Sequence, residues 1–113
     1  MALPLTRMVL PTRRWRALPA VALSMAFSAA GCGNAIYAIQ ASAASNKLEE
    51  ARELGAEKLA PYEYYSAREY LRKAEEEAAE ASYSDAKNLA DESEEYAGRA
   101  ILLSRDAHRG AGR

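Results

Sequence analysis

No acidic residue precedes Cys32, and no Trp, Phe, Met or Val follows it. Cys32 is the only cysteine and His108 the only histidine, which excludes an internal disulfide and any zinc or haem site built on several soft ligands. Pro61 is the only proline after Cys32. No glycine-rich phosphate loop and no nucleophile elbow occurs, and no stretch alternates apolar and polar residues as a strand would. These absences argue against an enzyme, against a cofactor and against a β-fold.

What is present falls into two unlike halves. Arg7, Arg13, Arg14 and Arg16 are the basic residues before Cys32; removing these four from the 15 basic residues leaves 11 against 16 acidic ones, a net charge of −5 for the later part. That balance disfavours nucleic acid as a partner. The early part has the three regions of an export signal. Arg7 to Arg16 form a positive stretch, Ala17 to Ala30 are 14 uncharged and mostly apolar residues, and Ser28-Ala29-Ala30-Gly31 supply the small side chains a signal peptidase needs. An apolar run of that length is short of the ~20 residues a bilayer span takes. A second reading is an uncleaved anchor helix, because no charge appears from Ala17 to Asn46.

Ala29-Ala30-Gly31-Cys32 resembles the bacterial lipobox, with alanine where leucine is preferred. The resemblance implies cleavage between Gly31 and Cys32, a diacylglycerol on the Cys32 sulfur and an acyl chain such as palmitate on the new amine. Two or more chains give stable membrane attachment where one does not. Gly33, standing where aspartate would signal inner-membrane retention, implies the outer membrane.

The expected organisation is a signal segment over 1–31, a lipidated tether or the start of a first helix over 32–46, an alanine-rich helical domain over 47–109 and a disordered tail over 110–113. Within the domain the apolar spacing is helical. Ala44, Leu48, Ala51, Gly55 and Leu59 mark a first helix that Ala60-Pro61 should interrupt. Tyr64, Ala67, Leu71, Ala74, Ala78 and Ala81 mark a second, from Pro61 to about Ala81, with Glu69 and Lys73 placed to pair. Ser82, with Asp85 three residues on, reads as a capping box. Ala86, Leu89, Ser93, Tyr96, Ala100, Leu103 and Ala107 mark a third helix, widened by Ala90, Ala97 and Ile101. Gly98 lies inside it, where close approach of a neighbouring helix would account for a glycine. The fold class expected is all-α, an antiparallel hairpin or a loose three-helix bundle. Ten large aliphatic side chains after Cys32 make a thin core, so self-association or a partner is expected to add stability.

The run Ala60, Pro61, Ala67, Leu71, Ala74, then Asp85-Ala86, Ala90, Ala97 and Ala100, is similar to a domain-of-unknown-function family of short alanine-rich helical lipoproteins of Gram-negative bacteria. The resemblance implies a cell-envelope setting and an OmpA-type envelope protein as a neighbour or partner. The candidate contact residues are Tyr62, Tyr65 and Tyr70, because one helix cannot bury Tyr62, Tyr64 and Tyr65 on a single side and tyrosine favours interfaces. The acidic runs Glu75-Glu76-Glu77 and Asp91 to Glu95 diverge around a helix and read as solvated faces, not metal sites. The function expected is that of a lipid-anchored structural or scaffolding protein. The alternative is a tetratricopeptide-like peptide-binding module, against which stands the lack of any 34-residue period.

Overall fold

The computed structural model describes the backbone of residues 13–112 and the side chains of residues 32–112. The chain divides into two units, Met1–Ala30 and Gly31–Arg113. Among the described residues four helices follow in order: α1 (Arg13–Glu53), α2 (Ala56–Leu59), α3 (Pro61–Ala79) and α4 (Tyr83–Ala111). No strand occurs among the described residues, and the fold is all-α. Arg7 and the rest of residues 1–12 lie outside the described residues.

Each helix boundary has a local cause. α1 ends where Gly55 takes φ 81°, ψ 24°, a left-handed conformation that glycine adopts without a Cβ clash. The Gly55 N–H donates to the Arg52 carbonyl at 2.9 Å, closing the end of the helix. α2 is a single turn, and Ala60 leaves the helical region at φ −144° because Pro61 follows it. Pro61 then starts α3, its missing N–H costing nothing at the first position, with Glu63 in the positive first turn. α3 ends in a Schellman turn: the Ala81 N–H donates to the Ala78 carbonyl at 3.0 Å and the Ser82 N–H to the Glu77 carbonyl at 2.9 Å. The left-handed residue of that turn is Ala81, at φ 61°, where a glycine would be unstrained.

Three of these helices build one bundle within Gly31–Arg113. α3 and α4 are antiparallel, because only the tight turn at Glu80–Ser82 separates them; across the pair the Ser93 hydroxyl donates to the Ala67 carbonyl at 2.7 Å, and the Tyr70 ring stacks on Tyr96. α1 and α4 are parallel, as the rising order of their contacts requires. The Gln40 side chain meets Asp91, Lys47 pairs with Glu94 at 2.8 Å, Glu50 with Arg105, and the His108 Nε2 lies 2.8 Å from the Leu54 carbonyl. α1 therefore runs up, α3 down and α4 up.

The core is mostly alanine. Buried are Ala44, Leu48, Ala51, Ala56, Ala60, Tyr64, Ala67, Ala74, Ala86, Ala90, Ala97, Ala100 and Ile101, with Leu54, Leu71 and Tyr96 packed at its edge. A buried methyl-sized group contributes roughly 0.8 kcal/mol against about 1.5–3 for a large aliphatic. Ser93 and Ser104 are fully buried beside the alanines; Ser93 is hydrogen-bonded, and the Ser104 hydroxyl has no partner.

Several expectations need correction. Of the two readings of 32–46, the structure has the start of a helix, but that first helix stops at Glu53 instead of Ala60 because Gly55 turns left-handed. Leu59 and Leu103 stand at seam spacing yet are 43% and 45% exposed, and Ser104 takes the buried position beside Leu103. Ala81 belongs to the turn, not the seam. Ser82 is the N-cap residue of α4 but makes no side-chain cap, so the capping box does not form. Glu69 pairs with Arg72 at 2.6 Å, and Arg72 also with Glu76, in place of Lys73. α4 continues through Gly110 to Ala111, into the expected tail. A Cβ at Gly98 would meet nothing within 4 Å, so no neighbouring helix explains that glycine; the close approach is at Gly33, where a Cβ would lie 3.3 Å from the Tyr83 Cβ.

These two positions give a direct test of the backbone argument. Gly98→Ala is expected to stabilise the protein by about 1 kcal/mol, since it removes a helix-interior glycine and the new methyl meets open space. Ala81→Gly is expected to add about 1 kcal/mol by relieving the left-handed alanine. Urea midpoints beside the parent protein read both, and a lower midpoint for Gly98→Ala would mean that α4 has a neighbour there.

Candidate functional site

Two surface regions collect the residues singled out by the sequence, and they lie toward opposite ends of the bundle. Cys32 is exposed near the start of the compact unit, on α1. Gly31 is helical backbone next to it, and the side chains of residues 13–31 are not described. The α3–α4 turn is at this end, since Tyr83 packs by Gly33.

The other region is aromatic. Consecutive helical residues point about 100° apart, so Tyr62, Tyr64 and Tyr65 must diverge. Tyr64 turns inward and is 4% exposed, whereas Tyr62 and Tyr65 are 69% and 49% exposed. Tyr70 is half-buried. α4 contributes Tyr96, which stands at seam spacing and is not among the expected contact residues. It is the centre of the cluster: Tyr70 stacks on it with ring centroids 5.5 Å apart and planes 14° apart, and Tyr62 meets it edge-on at 6.1 Å. Tyr65 meets Tyr64 edge-on at 5.2 Å. Two cations cover the rings, Arg68 at 5.7 Å from the Tyr65 centroid and Arg99 at 5.2 Å from that of Tyr96. Pro61, Tyr62, Tyr65, Ser66, Glu69, Tyr70 and Lys73 line an open groove of about 560 Å³ here. The predicted contact residues Tyr62, Tyr65 and Tyr70 thus share one surface. Tyr96 was detectable in principle, because Leu89, Tyr96 and Leu103 repeat every seven residues along one flank of α4.

The titration of this surface follows from its packing. The Tyr96 phenol is pushed above the ordinary tyrosine range, first by its hydrogen bond with Tyr62, then by Tyr62's charge, burial and Tyr70. Tyr64 is pushed up by burial first and then by Glu57. Along the α1–α4 flank, Asp91 is held below the usual carboxylate range, first by Lys87 and also by Gln40.

The remaining charges pair mostly within single helices. Arg52 pairs with Glu49, Arg99 with Glu95 and Arg109 with Asp106, all one turn apart on exposed faces. Among the described residues no three His, Cys, Asp or Glu side chains gather closely enough to hold a metal ion. Nor is any described helix long and apolar enough to cross a membrane. His108 is tied by Nε2 to the exposed end of α1, at the Leu54 carbonyl.

An alanine-cored, up-down-up helical domain with an aromatic surface at one end and an exposed thiol at the other is the class of protein these features define. The chain belongs to the family described as a domain of unknown function, DUF4398, whose model matches residues 40–109. The match begins inside α1 and takes in α2, α3 and nearly all of α4. No curated protein and no solved structure matches the chain.

Alkali tests the tyrosine packing. Tyr64 and Tyr96 hold their protons more tightly folded than unfolded, so their contribution is complete below the unfolded tyrosine range near ~10 and is lost as pH rises through the raised folded values. Urea midpoints followed by helix circular dichroism should therefore fall as pH is taken above about 10. Tyr64→Phe, which cannot ionise, should flatten that fall, and an unchanged slope would remove Tyr64 as a source.

Proposed function

We propose that the chain is a lipid-anchored helical protein of the bacterial cell envelope, with a structural or scaffolding role exercised through self-association or through an envelope partner. The observation that carries the reading is Cys32 itself. It is a lone thiol, exposed, preceded by Ala29-Ala30-Gly31 and by an uncharged apolar run with arginines upstream. A diacylglycerol on that sulfur and an acyl chain on the amine freed by cleavage after Gly31 would attach the bundle to a membrane, on the outer-membrane side of the periplasm.

The work of such a protein is tethering. Holding the bundle at a surface raises the local concentration of whatever it meets there, without any new contact being formed. The family match, to a domain of unknown function, assigns no reaction. The partner contact in this reading is the tyrosine surface of Tyr62, Tyr65 and Tyr70, with Tyr96 beneath them. Exposed rings stacked in advance by their neighbours lose little freedom on binding. An OmpA-type envelope protein or a second copy of the chain is the proposed partner.

The open tyrosine groove also favours a second reading, in which the domain binds a peptide. A tetratricopeptide-like module would do so in a concave surface made by stacked helix pairs. Here the groove lies along α3 beside Tyr96, so the peptide would have to lie on a single helical pair.

Intact-mass spectrometry of the protein from a bacterial membrane fraction, beside Cys32→Ser, tests the anchor. A chain beginning at Cys32 and heavier by a diacylglycerol and one acyl group is expected, with Cys32→Ser shifted to the soluble fraction. An unmodified chain retaining residues 1–31 would sink the reading, and so would a cleaved chain with a free thiol.

A further inference from the structure

The outward face of α1 just beyond Cys32 differs from the rest of the surface. Cys32, Ile36, Ile39 and Ala43 are spaced four, three and four residues apart, so they form one stripe along the helix. Cys32 is exposed, and Ile36 and Ile39 are 52% and 68% exposed, large aliphatic area in a protein with little to spare for its core. No charge occurs from Ala17 to Asn46, so the first charged residue after the thiol is Lys47. At 1.5 Å per residue, that is about 22 Å along the helix. Elsewhere the bundle's exposed faces carry ion pairs one turn apart: Glu49–Arg52 on α1, Glu69–Arg72–Glu76 on α3, and Glu95–Arg99 and Asp106–Arg109 on α4.

The same end of the bundle has a second, contrasting face. α3 is antiparallel to α1 and brings Glu75, Glu76 and Glu77 to the level of Tyr37, whose phenol feels the Glu75 charge; Glu80 follows at the turn. The stripe on α1 is thus uncharged and apolar, whereas α3 at this end is acidic, its glutamates spread around the helix. An anionic membrane surface repels the second and accepts the first.

The size of the stripe also bears on what covers it. Two isoleucines and two small residues fall far short of the roughly 1,000 Å² that a specific protein interface needs. A lipid boundary demands much less, only that apolar side chains enter about 5–10 Å below the headgroups.

We propose that the Cys32–Ile36–Ile39–Ala43 stripe is a lipid-contact face, on which the bundle leans against the membrane that holds it. The proposal rests on the anchor at Cys32. Acyl chains on the sulfur bring Ile36 and Ile39, one and two turns on, to the level of the headgroup–acyl boundary. The acidic α3 side is turned away, and the tyrosine surface, toward the other end of the bundle, is presented to the periplasm. The lipid thus orients the domain as well as retaining it.

The test places one tryptophan on the stripe. The full chain with Trp15→Phe and Ile39→Trp is purified from membranes and reconstituted into phosphatidylethanolamine–phosphatidylglycerol vesicles whose acyl chains are brominated. A second protein carries Trp15→Phe with Leu102→Trp, at an exposed position toward the far end of α4. The Ile39→Trp indole is expected to emit at shorter wavelength than in urea and to lose most of its emission to the brominated chains, while the Leu102→Trp indole keeps its emission. Absence of quenching at position 39 would overturn the proposal. Blue-shifted but unquenched emission there would overturn it too, by assigning the stripe to a second copy of the chain. Equal quenching at both positions would overturn the orientation. The intact mass of the same samples reads the anchor separately: quenching with an unmodified Cys32 keeps the lipid face and removes the anchor, and a lipidated Cys32 without quenching does the reverse.

Discussion

The close contact of helices through alanine is the constraint on which the rest of this structure depends. Three helices share a core whose large members are Leu48, Tyr64 and Ile101. Methyl-sized side chains let backbones approach, but each removes little apolar area from water. Such a core holds helices together without strongly selecting how they are registered, because one alanine seam slides past another with little change in packing. Register must therefore come from elsewhere. The Ser93 hydroxyl on the Ala67 carbonyl sets α4 against α3. The pile of Tyr62, Tyr70 and Tyr96 does the same at the outer edge of that pair. Gln40–Asp91, Lys47–Glu94, Glu50–Arg105 and the His108 contact with the end of α1 set α1 against α4.

Polar groups here serve specificity more than stability. The ion pairs along α1 and α4 are partly exposed, and such pairs contribute about 0–1 kcal/mol each. Their value is positional: each is satisfied in one register and lost in its neighbours. The thinness of the core also explains where function can reside. Among the described residues the pockets are open grooves on the helix surfaces. The surface is divided between an uncharged stripe near Cys32, an ion-paired perimeter and an aromatic patch toward the other end. That division is what the proposed anchoring at Cys32 draws on.

Much of this was readable from residue spacing. Helical periodicity placed α3 and α4 to within a few residues, and Pro61 placed the start of α3 correctly because its ring acts locally. The divergence of Tyr62, Tyr64 and Tyr65 around one helix was likewise a matter of geometry within a single element. What failed involved choices between near-equivalent positions. Leu103 and Ser104 are adjacent, and hydrophobicity favours burying the leucine, yet the serine lies inward. Helix rotation is fixed by all of the contacts of α4 together, and the small seam prefers the small residue. Gly55 looked like one more small seam residue, and its left-handed turn depends on the chain having to reverse there.

The sequence by itself determined the helical character of the chain, the start of α3 at Pro61 and the segregation of charge about Cys32, because propensity, proline geometry and charge act over a few residues. The tertiary structure alone decided that α1 lies parallel to α4, that Tyr96 completes the aromatic surface, and that Ile36 and Ile39 stay uncovered beside the thiol. The contacts behind them join residues far apart in the chain, from Tyr70 with Tyr96 to Glu50 with Arg105. Nothing in a local pattern states which of several similar alanine faces will meet, and only the simultaneous fit of all three helices chooses among them.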